Sequence, residues 1–501
     1  MKPQHTSGLF SLASTILTSF VILLASNNSL ATDESVDSRW LSDLVVSQKD
    51  IDSLASGMAS AGLSPLRGDP RVFQPEFGKP LRLDQLPKNL PPFGLSLWSH
   101  NTSDVQLGAL KVHPRLFSLS LNGFASGETC VRAVSEQTSL RFLSLTDCGV
   151  VDVQLAQLTN LQHLETLDLR GTKVDGSGLA ELRSLSALIS LEVDMTPDQF
   201  HALKASQLVH LLPIAHGDSR TTATKDDEIT ELELNGFYGY PVTNEMLQDL
   251  QHLPALNKLS LIEAEITGEA IQDLVRIPRL HVLNLERTRV DDNALPKLAT
   301  SLHLKSLVLD ETKVTPLGLQ HLSKLESLTE LHLNRCALDD DSLKVLGNCP
   351  DLERLEIGGT QICFERELPP GTFPKLRHLN LNGSKVTDRG IAAISELPEL
   401  RWLDLTLCAV GDTGLESLRN CKKLEVLYLN LTGINDDTLG HLGSIETLQV
   451  LSLNSTGVTD AGVKHLSKSK NLKSLILLGT KVSPEAVQQL QSELPNCEIV
   501  R

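Results

Sequence analysis

The opening leucine of a Leu-x-x-Leu-x-Leu motif returns every 24 residues, at Leu116, Leu140, Leu164 and Leu188, then at Leu256, Leu280, Leu304, Leu328, Leu352, Leu376, Leu400, Leu424, Leu448 and Leu472. In the second run the register holds for nine consecutive spacings. Alternation at period two describes a short strand with one buried face. The leucines that follow at helical spacing, such as Leu179 with Leu182 and Leu415 with Leu418, describe a helix. A single unit of this kind cannot bury its apolar face, so neighbours must stack into a continuous core. The expected fold class is α/β, a right-handed solenoid of horseshoe form with a parallel sheet on the concave side and helices on the convex side.

Helix starts are marked in the sequence. Thr196-Pro197, Thr315-Pro316 and Ser483-Pro484 place a capping hydroxyl before a proline at the first helical position, and Asp388, Asp412 and Asp460 put negative charge near the amino end of the helix dipole. Leu95 and Leu97 fall in the same phase one block earlier, so Pro92 opens a degenerate first repeat. The 41-residue gap between Leu188 and Ile229 is divided by a further degenerate strand expected at 208–213.

Eight residues after eleven of the fourteen opening leucines stands Cys148, Thr172, Thr288, Thr312, Cys336, Thr360, Ser384, Cys408, Thr432, Thr456 or Thr480, and Val-Thr-Asp-x-Gly occurs at 386–390 and 458–462. With these features the chain resembles the cysteine-containing subclass of the leucine-rich repeat family, which includes the repeat regions of F-box proteins and GALA-type bacterial effectors. Broadly similar 24-residue repeats occur in exported bacterial proteins. The resemblance covers residues 92 to about 499 and speaks to fold, because the shared residues are the ones that stack the coil. Through its F-box relatives it implies an alternative function, a substrate receptor for a ubiquitin ligase. A structural role on the cell envelope is a further alternative.

Residues 1–31 read as a secretory signal peptide: Lys2, an uncharged stretch from 9 to 25, and Ser29-Leu30-Ala31 before a cut at Thr32. The expected location is secreted or periplasmic, with no membrane insertion after signal removal. Residues 32–91 lack the repeat and are expected to cap the first strand or to be partly disordered, with a helix around 50–61. The solenoid then spans 92–501, with insertions near 214–228 and 236–241. Phe237, Tyr238 and Tyr240 concentrate aromatics in the second insertion of a chain with only 12 Phe, 3 Tyr and 3 Trp.

A formal charge of -17 and a pI near 5.4, without a basic cluster, exclude nucleic acid as a partner. Cys148, Cys336 and Cys408 share one phase but lie at least three repeats apart, too far for a disulfide, while Cys336 with Cys363 remains open. His321, His441 and His465 repeat at one helical phase without a recurring carboxylate or thiol, and no CxxC, HExxH, GxSxG, Walker loop or GxGxxG occurs. Asp339-Asp340-Asp341, Asp291-Asp292 and Asp436-Asp437 read as helix-start charge, not as a calcium loop. No catalytic residue, metal site or cofactor is expected, and the chain is read as a non-enzyme. Of four Asn-x-Ser/Thr sites after the signal, at Asn101, Asn382, Asn430 and Asn454, the last three arise from the repeat itself.

Residues two, four and six after the opening leucine should face solvent on the concave surface. These columns hold ten acids, Asp168, Glu192, Asp194, Glu231, Glu233, Glu286, Asp310, Glu330, Glu356 and Asp404, opposed by Arg170, Lys258 and Arg354. Asn recurs in the sixth column, as in Asn334, Asn382 and Asn430, and His332 stands in the fourth. Two readings are open: ordinary solubility, or a groove for a basic partner. Further on, Trp402, Val426 and Val450 share the second column with Tyr428 beside them, the composition of an exposed binding hot spot. The function read from these residues is an exported module that recognises a protein or peptide, basic in character, on its concave face.

Overall fold

The computed structural model describes the chain from Asp52 to Arg501, apart from residues 53, 57, 60, 67, 68, 78, 87–89, 111, 218–220, 222, 237–241, 249, 302, 367 and 370. The expected signal peptide and the aromatic stretch at Phe237, Tyr238 and Tyr240 lie outside the described residues. The chain divides into two compact units, Met1–Asp194 with Asp198–Pro213, and Met195–Pro197 with Ile214–Arg501.

In the first unit, β1 (Leu63–Leu66) pairs antiparallel with β2 (Asp69–Pro75), which pairs parallel with β3 (Phe93–Trp98). The sheet continues in parallel through β4 (Leu116–Asn122), β5 (Phe142–Ser144), β6 (Thr166–Asp168) and β7 (Ser190–Glu192). The strand expected at 208–213 is not formed. Val209–Leu211 is a 3-10 turn with Val209 and Leu211 buried, and the next strand is β8 (Ala215–His216), antiparallel to β9 (Glu231–Glu233). The apolar run there lacks the alternation that a half-buried strand requires.

The second unit carries β8 and β9 followed by β10 (Lys258–Ser260), β11 (Val282–Asn284), β12 (Ser306–Val308), β13 (Glu330–His332), β14 (Arg354–Glu356), β15 (His378–Asn380), β16 (Trp402–Asp404), β17 (Val426–Tyr428), β18 (Val450–Ser452), β19 (Ser474–Ile476) and β20 (Glu498–Val500). From β10 onward each strand pairs in parallel with the residue 24 further on, as Lys258 with Val282 and Ser474 with Glu498. Between β9 and β10 the offset is 27, Glu231 opposite Lys258, so three extra residues are absorbed within one coil. From β9 to β19 the middle residue of each strand is buried between sheet and helices, as Leu355 is with Leu352 and Ile357 to either side of its strand, while most residues of the flanking columns are half-covered on the opposite face. Both units are thus α/β solenoids, each with a one-sided apolar sheet.

From β4 onward the chain leaves most strands through a left-handed residue seven after the opening leucine, among them Asp147, Glu263, Arg287, Glu311, Arg335, Leu407, Leu431 and Ser455, or Gly123, Gly171, Gly359, Gly383 and Gly479. The residue after it closes the turn. Thr288, Thr312, Thr360, Thr432 and Thr456 each donate their hydroxyl to the carbonyl three residues back, at 2.6–2.8 Å. Cys336 and Cys408 instead reach across to the carbonyls of Leu309 and Leu381 in the preceding coil, both at 3.1 Å. Cys363 donates its thiol to Asp340 Oδ2, so the open pairing of Cys336 with Cys363 is not made.

The helix-start aspartates do more than meet a dipole. Asp436 accepts the main-chain N–H and the hydroxyl of Thr459 in the next coil at 2.7 and 2.6 Å, and Asp460 does the same with Ser483. Asp292 repeats it on Thr315, and in the first unit Asp152 takes the N–H groups of Asp175, Gly176 and Gly178. Buried Asp340 gathers four N–H groups, from Cys363 to Arg366. Burial alone would raise its carboxyl pKa, but those N–H bonds outweigh it and hold the value below the usual range. Gly462, in the Val-Thr-Asp-x-Gly stretch at 458–462, fits the same contact: a Cβ there would lie 2.3 Å from Asp436 Oδ1.

Asp436 and its exposed neighbour Asp437 occupy one helix turn, in Asp436–Leu442. Asp436→Ala is expected to cost roughly 2 kcal/mol in urea unfolding, and Asp437→Ala no more than about 0.5 kcal/mol. Equal losses would show that helix charge, not the bond between coils, is the stabilising element.

Candidate functional site

On the sheet face turned away from the helices, β13 to β17 carry one contiguous cluster in the second unit. It begins at β13, where His332 Nε2 lies 2.9 Å from Glu330 Oε1. Arg354, one strand on, sets its Nε 3.2 Å from Glu330 and its Nη2 2.7 Å from Glu356. Glu356 is then met from β15 by His378 Nε2 at 2.8 Å and by the Asn380 amide, which donates at 2.6 Å. The His378 ring stacks on Trp402 with centroids 3.7 Å apart and planes 10° apart, and Trp402 leans on Tyr428 at 5.4 Å and 50°. Val426 and Val450 follow in the Trp402 column as direct ladder partners.

The 24-residue register creates this cluster. Residues in one column become neighbours one strand spacing apart, so His378 and Trp402 meet because both are two after an opening leucine. Glu356 is 5% exposed. Burial raises its pKa, yet His378, Asn380 and Arg354 together outweigh that and hold it at about 2. Its Oε1 nevertheless has no aligned hydrogen bond, and neither have Arg354 Nε and His378 Nε2. Among the described residues these are three of five such buried side-chain atoms. Such atoms are uncommon in folded proteins, and here they gather under one patch.

Several residues expected to meet a partner are engaged inside the protein. Glu356 is buried within an ion-pair cluster and is not a free acid of an open groove. Trp402 is half-buried between His378 and Tyr428, not fully exposed. Asp310 accepts both the main-chain N–H and the amide of Asn334, and Asn334 passes the contact on to the Gly358 N–H. Asn430 holds the Asn454 N–H and the Ser452 hydroxyl. These asparagines tie coil to coil. The Asn382 N–H is held by Asn380, and Asp404 accepts the Thr406 N–H. Burial raises the pKa of both Asp310 and Glu286, with Asn334 pulling back on the first and Arg287 on the second. Glu233 is half-buried on β9 beside Glu231, which lies 3.9 Å from Lys258.

In the first unit Asp168 binds Arg170 in a two-pronged contact at 3.0 and 2.7 Å and accepts the Thr146 hydroxyl. Arg170 also approaches Glu192 at 3.9 Å, while burial raises the pKa of Glu192 against that pull. Asp194 accepts the Gly171 N–H.

The columns missed two features. His378 and Asn380 were not singled out, though the offset of 24 from Trp402 and Glu356 would have found them. The second is Leu407 and Leu431, which occupy the left-handed position with φ of 62° and 54° and are 56% and 53% exposed. Elsewhere that position is mostly glycine or polar. Leucine there carries a conformational cost of roughly 1 kcal/mol and shows its apolar surface to water. Among the described residues no group of three or more His, Cys, Asp and Glu could hold a metal ion.

The fold is the leucine-rich repeat solenoid. Five stretches, residues 160–182, 324–347, 374–395, 398–418 and 445–467, match the Leucine Rich repeat profile. Among solved structures the chain is similar to an internalin of Listeria monocytogenes at 18% identity, covering 74% of this chain and 88% of that one with a TM-score of 0.37. It is also similar to a leucine-rich repeat protein of Leptospira interrogans, at 18% identity, 83% and 91% coverage and a TM-score of 0.41. A third likeness is to the mouse RP105/MD-1 complex, at 17% identity, 84% and 77% coverage and a TM-score of 0.48. No curated protein matches the chain significantly, and no catalytic family is indicated.

Because the folded pKa of Glu356 lies below its ordinary 4.5, its charge stabilises the fold above that pH, and the contribution is lost as pH falls toward 2. The thermal midpoint of Glu356→Gln should lie below that of the parent at neutral pH, and the two should converge near about pH 2. A gap that stays constant over that range would mean the ionised form contributes nothing.

Proposed function

We propose that this protein is an exported, non-enzymatic recognition module that binds a protein or peptide on the sheet face of its second unit, the concave side of such a solenoid. The observation that carries the reading is the coincidence, in two adjacent coils, of half-exposed Trp402 and Tyr428 with strained, exposed Leu407 and Leu431. Aromatic side chains held rigid by their neighbours lose little freedom on binding, and apolar side chains that are left-handed and still exposed, unlike left-handed Met195, Phe364 and Phe373 in the core, gain little within the fold. The half-covered acids along the face, Glu286, Glu330 and Asp404, favour a basic partner by long-range attraction. The leader-like pattern of residues 1–31 supports export, and no helix among the described residues is long and apolar enough to cross a membrane.

Affinity capture from the extracytoplasmic fraction, comparing the native protein with a folded Trp402→Ala/Tyr428→Ala variant, tests the reading. Recovery of the specific partner should fall at least about 30-fold, the equivalent of roughly 2 kcal/mol. Equal recovery would remove the site from this cluster. Affinity for that partner should also weaken between about 50 and 300 mM salt, and a salt-independent affinity would refute its basic character.

Leu407→Gly with Leu431→Gly separates binding from folding. The unfolding midpoint should hold or rise, because glycine relieves the left-handed strain, while partner affinity falls by about tenfold or more. A large drop in midpoint would show that these leucines serve stability instead.

A further inference from the structure

The acids on the sheet face of the second unit differ in what answers their charge. Glu231, Glu286, Glu330 and Glu356 each have a basic side chain at 2.7–3.9 Å, and Asp310 takes the Asn334 amide. Asp404, on β16, has no such neighbour among the described residues. Its one hydrogen bond there comes from the Thr406 N–H, 2.8 Å from Oδ1, which leaves Oδ2 without a partner on a half-exposed side chain. The arginines of the adjoining strands are engaged elsewhere: Arg354 with Glu330 and Glu356, Arg377 with Glu353, and Arg401 with Glu425.

The same acid stands beside the aromatic pair. Asp404 is the direct ladder partner of Tyr428 and lies two residues after Trp402, on the same face of β16. One face of Trp402 is taken by the His378 ring, but its plane is inclined at 50° to that of Tyr428, so these two rings do not cover each other, and both stay half-exposed. An unanswered carboxylate beside open aromatic surface suits a planar cation, which is attracted by the ring quadrupoles and by the charge together. Guanidinium suits it better than ammonium, because it is flat and weakly hydrated and can lie on a ring while an N–H at its edge points to the carboxylate.

We infer that Trp402, Asp404 and Tyr428 form a subsite for one arginine side chain of the partner, an inference that rests on the recognition role proposed for this face. Val426 and Val450 continue the Trp402 column, and Leu407 and Leu431 leave the two coils that carry the subsite. They offer apolar surface to the residues on either side of that arginine, so the partner is a peptide segment in which an arginine is flanked by apolar side chains.

The test pans a library of displayed random peptides over the full native chain, sets aside those also retained by Trp402→Ala/Tyr428→Ala, and sequences the remainder. Arginine should exceed lysine among them. In the tightest peptide, made synthetically, replacing that arginine by citrulline, which keeps the shape without the charge, should weaken binding about tenfold or more, and lysine should restore part of the loss. Asp404→Asn keeps an oxygen for the Thr406 N–H, so its unfolding midpoint should match the parent's. It should cost the arginine peptide about tenfold and the citrulline peptide nothing. The citrulline comparison on the native protein stands whether or not that variant folds. Peptides that need the aromatic pair but are poor in arginine, or whose arginine is indifferent to Asp404→Asn, would overturn the subsite and leave the recognition face standing. If no peptide depends on Trp402 and Tyr428, both fall.

Discussion

The bond from a helix-start aspartate to the main chain of the next coil is the constraint on which the stacking depends. A buried carboxylate such as Asp340 is costly to desolvate, and that cost is offset only when the following coil presents its N–H groups at the right height. The carboxylate thereby rejects a slipped register, in which those N–H groups would fall elsewhere. Leucine burial supplies most of the energy, but one leucine layer resembles the next. The aspartates, together with the asparagines at Asn334 and Asn430, align the interfaces at which they occur.

The register determines which side chains meet on the open face. Once strands pair 24 residues apart, each column becomes a row of neighbours, and the chemistry of a site follows from what successive repeats carry at one position. The cluster from Glu330 to Tyr428 arises in this way: acid, base, acid, imidazole and indole occupy adjacent strands. Its ionic half is closed on itself and rigid, whereas its aromatic end remains half-open. Rigidity beneath an accessible apolar surface is a favourable combination for recognition, since the anchor is ordered before a partner arrives.

Most of the fold was legible because its determinants are periodic. The buried leucines, the strand and helix phases, the hydroxyl caps at Thr315 and Ser483 and the three-residue excess before β10 follow from spacing alone. The run at 208–213 was misread because Leu208, Val209, Leu211 and Leu212 are apolar without alternating, and the 3-10 turn they form buries them equally well. At the site, sequence columns identified the face but not the degree of cover. Whether Trp402 is exposed depends on the ring 24 residues earlier, and whether Glu356 is free depends on three neighbours in two strands. Asn334 and Asn430 were read as partner contacts because an amide suits either role, and only the hydrogen-bond geometry separates them.

The constant offset from β10 to β20 has a consequence for how such a surface changes over time. Loss or duplication of one whole coil would leave every leucine layer with an equivalent partner, so the apolar core would be nearly indifferent to it. The outer face would not be. Removing the coil that carries His378 would bring the Arg354 column directly beside Trp402 and replace a stacked imidazole with a guanidinium. Unequal crossing-over between similar gene segments could therefore rewrite what the face recognises in one step, at little cost to folding.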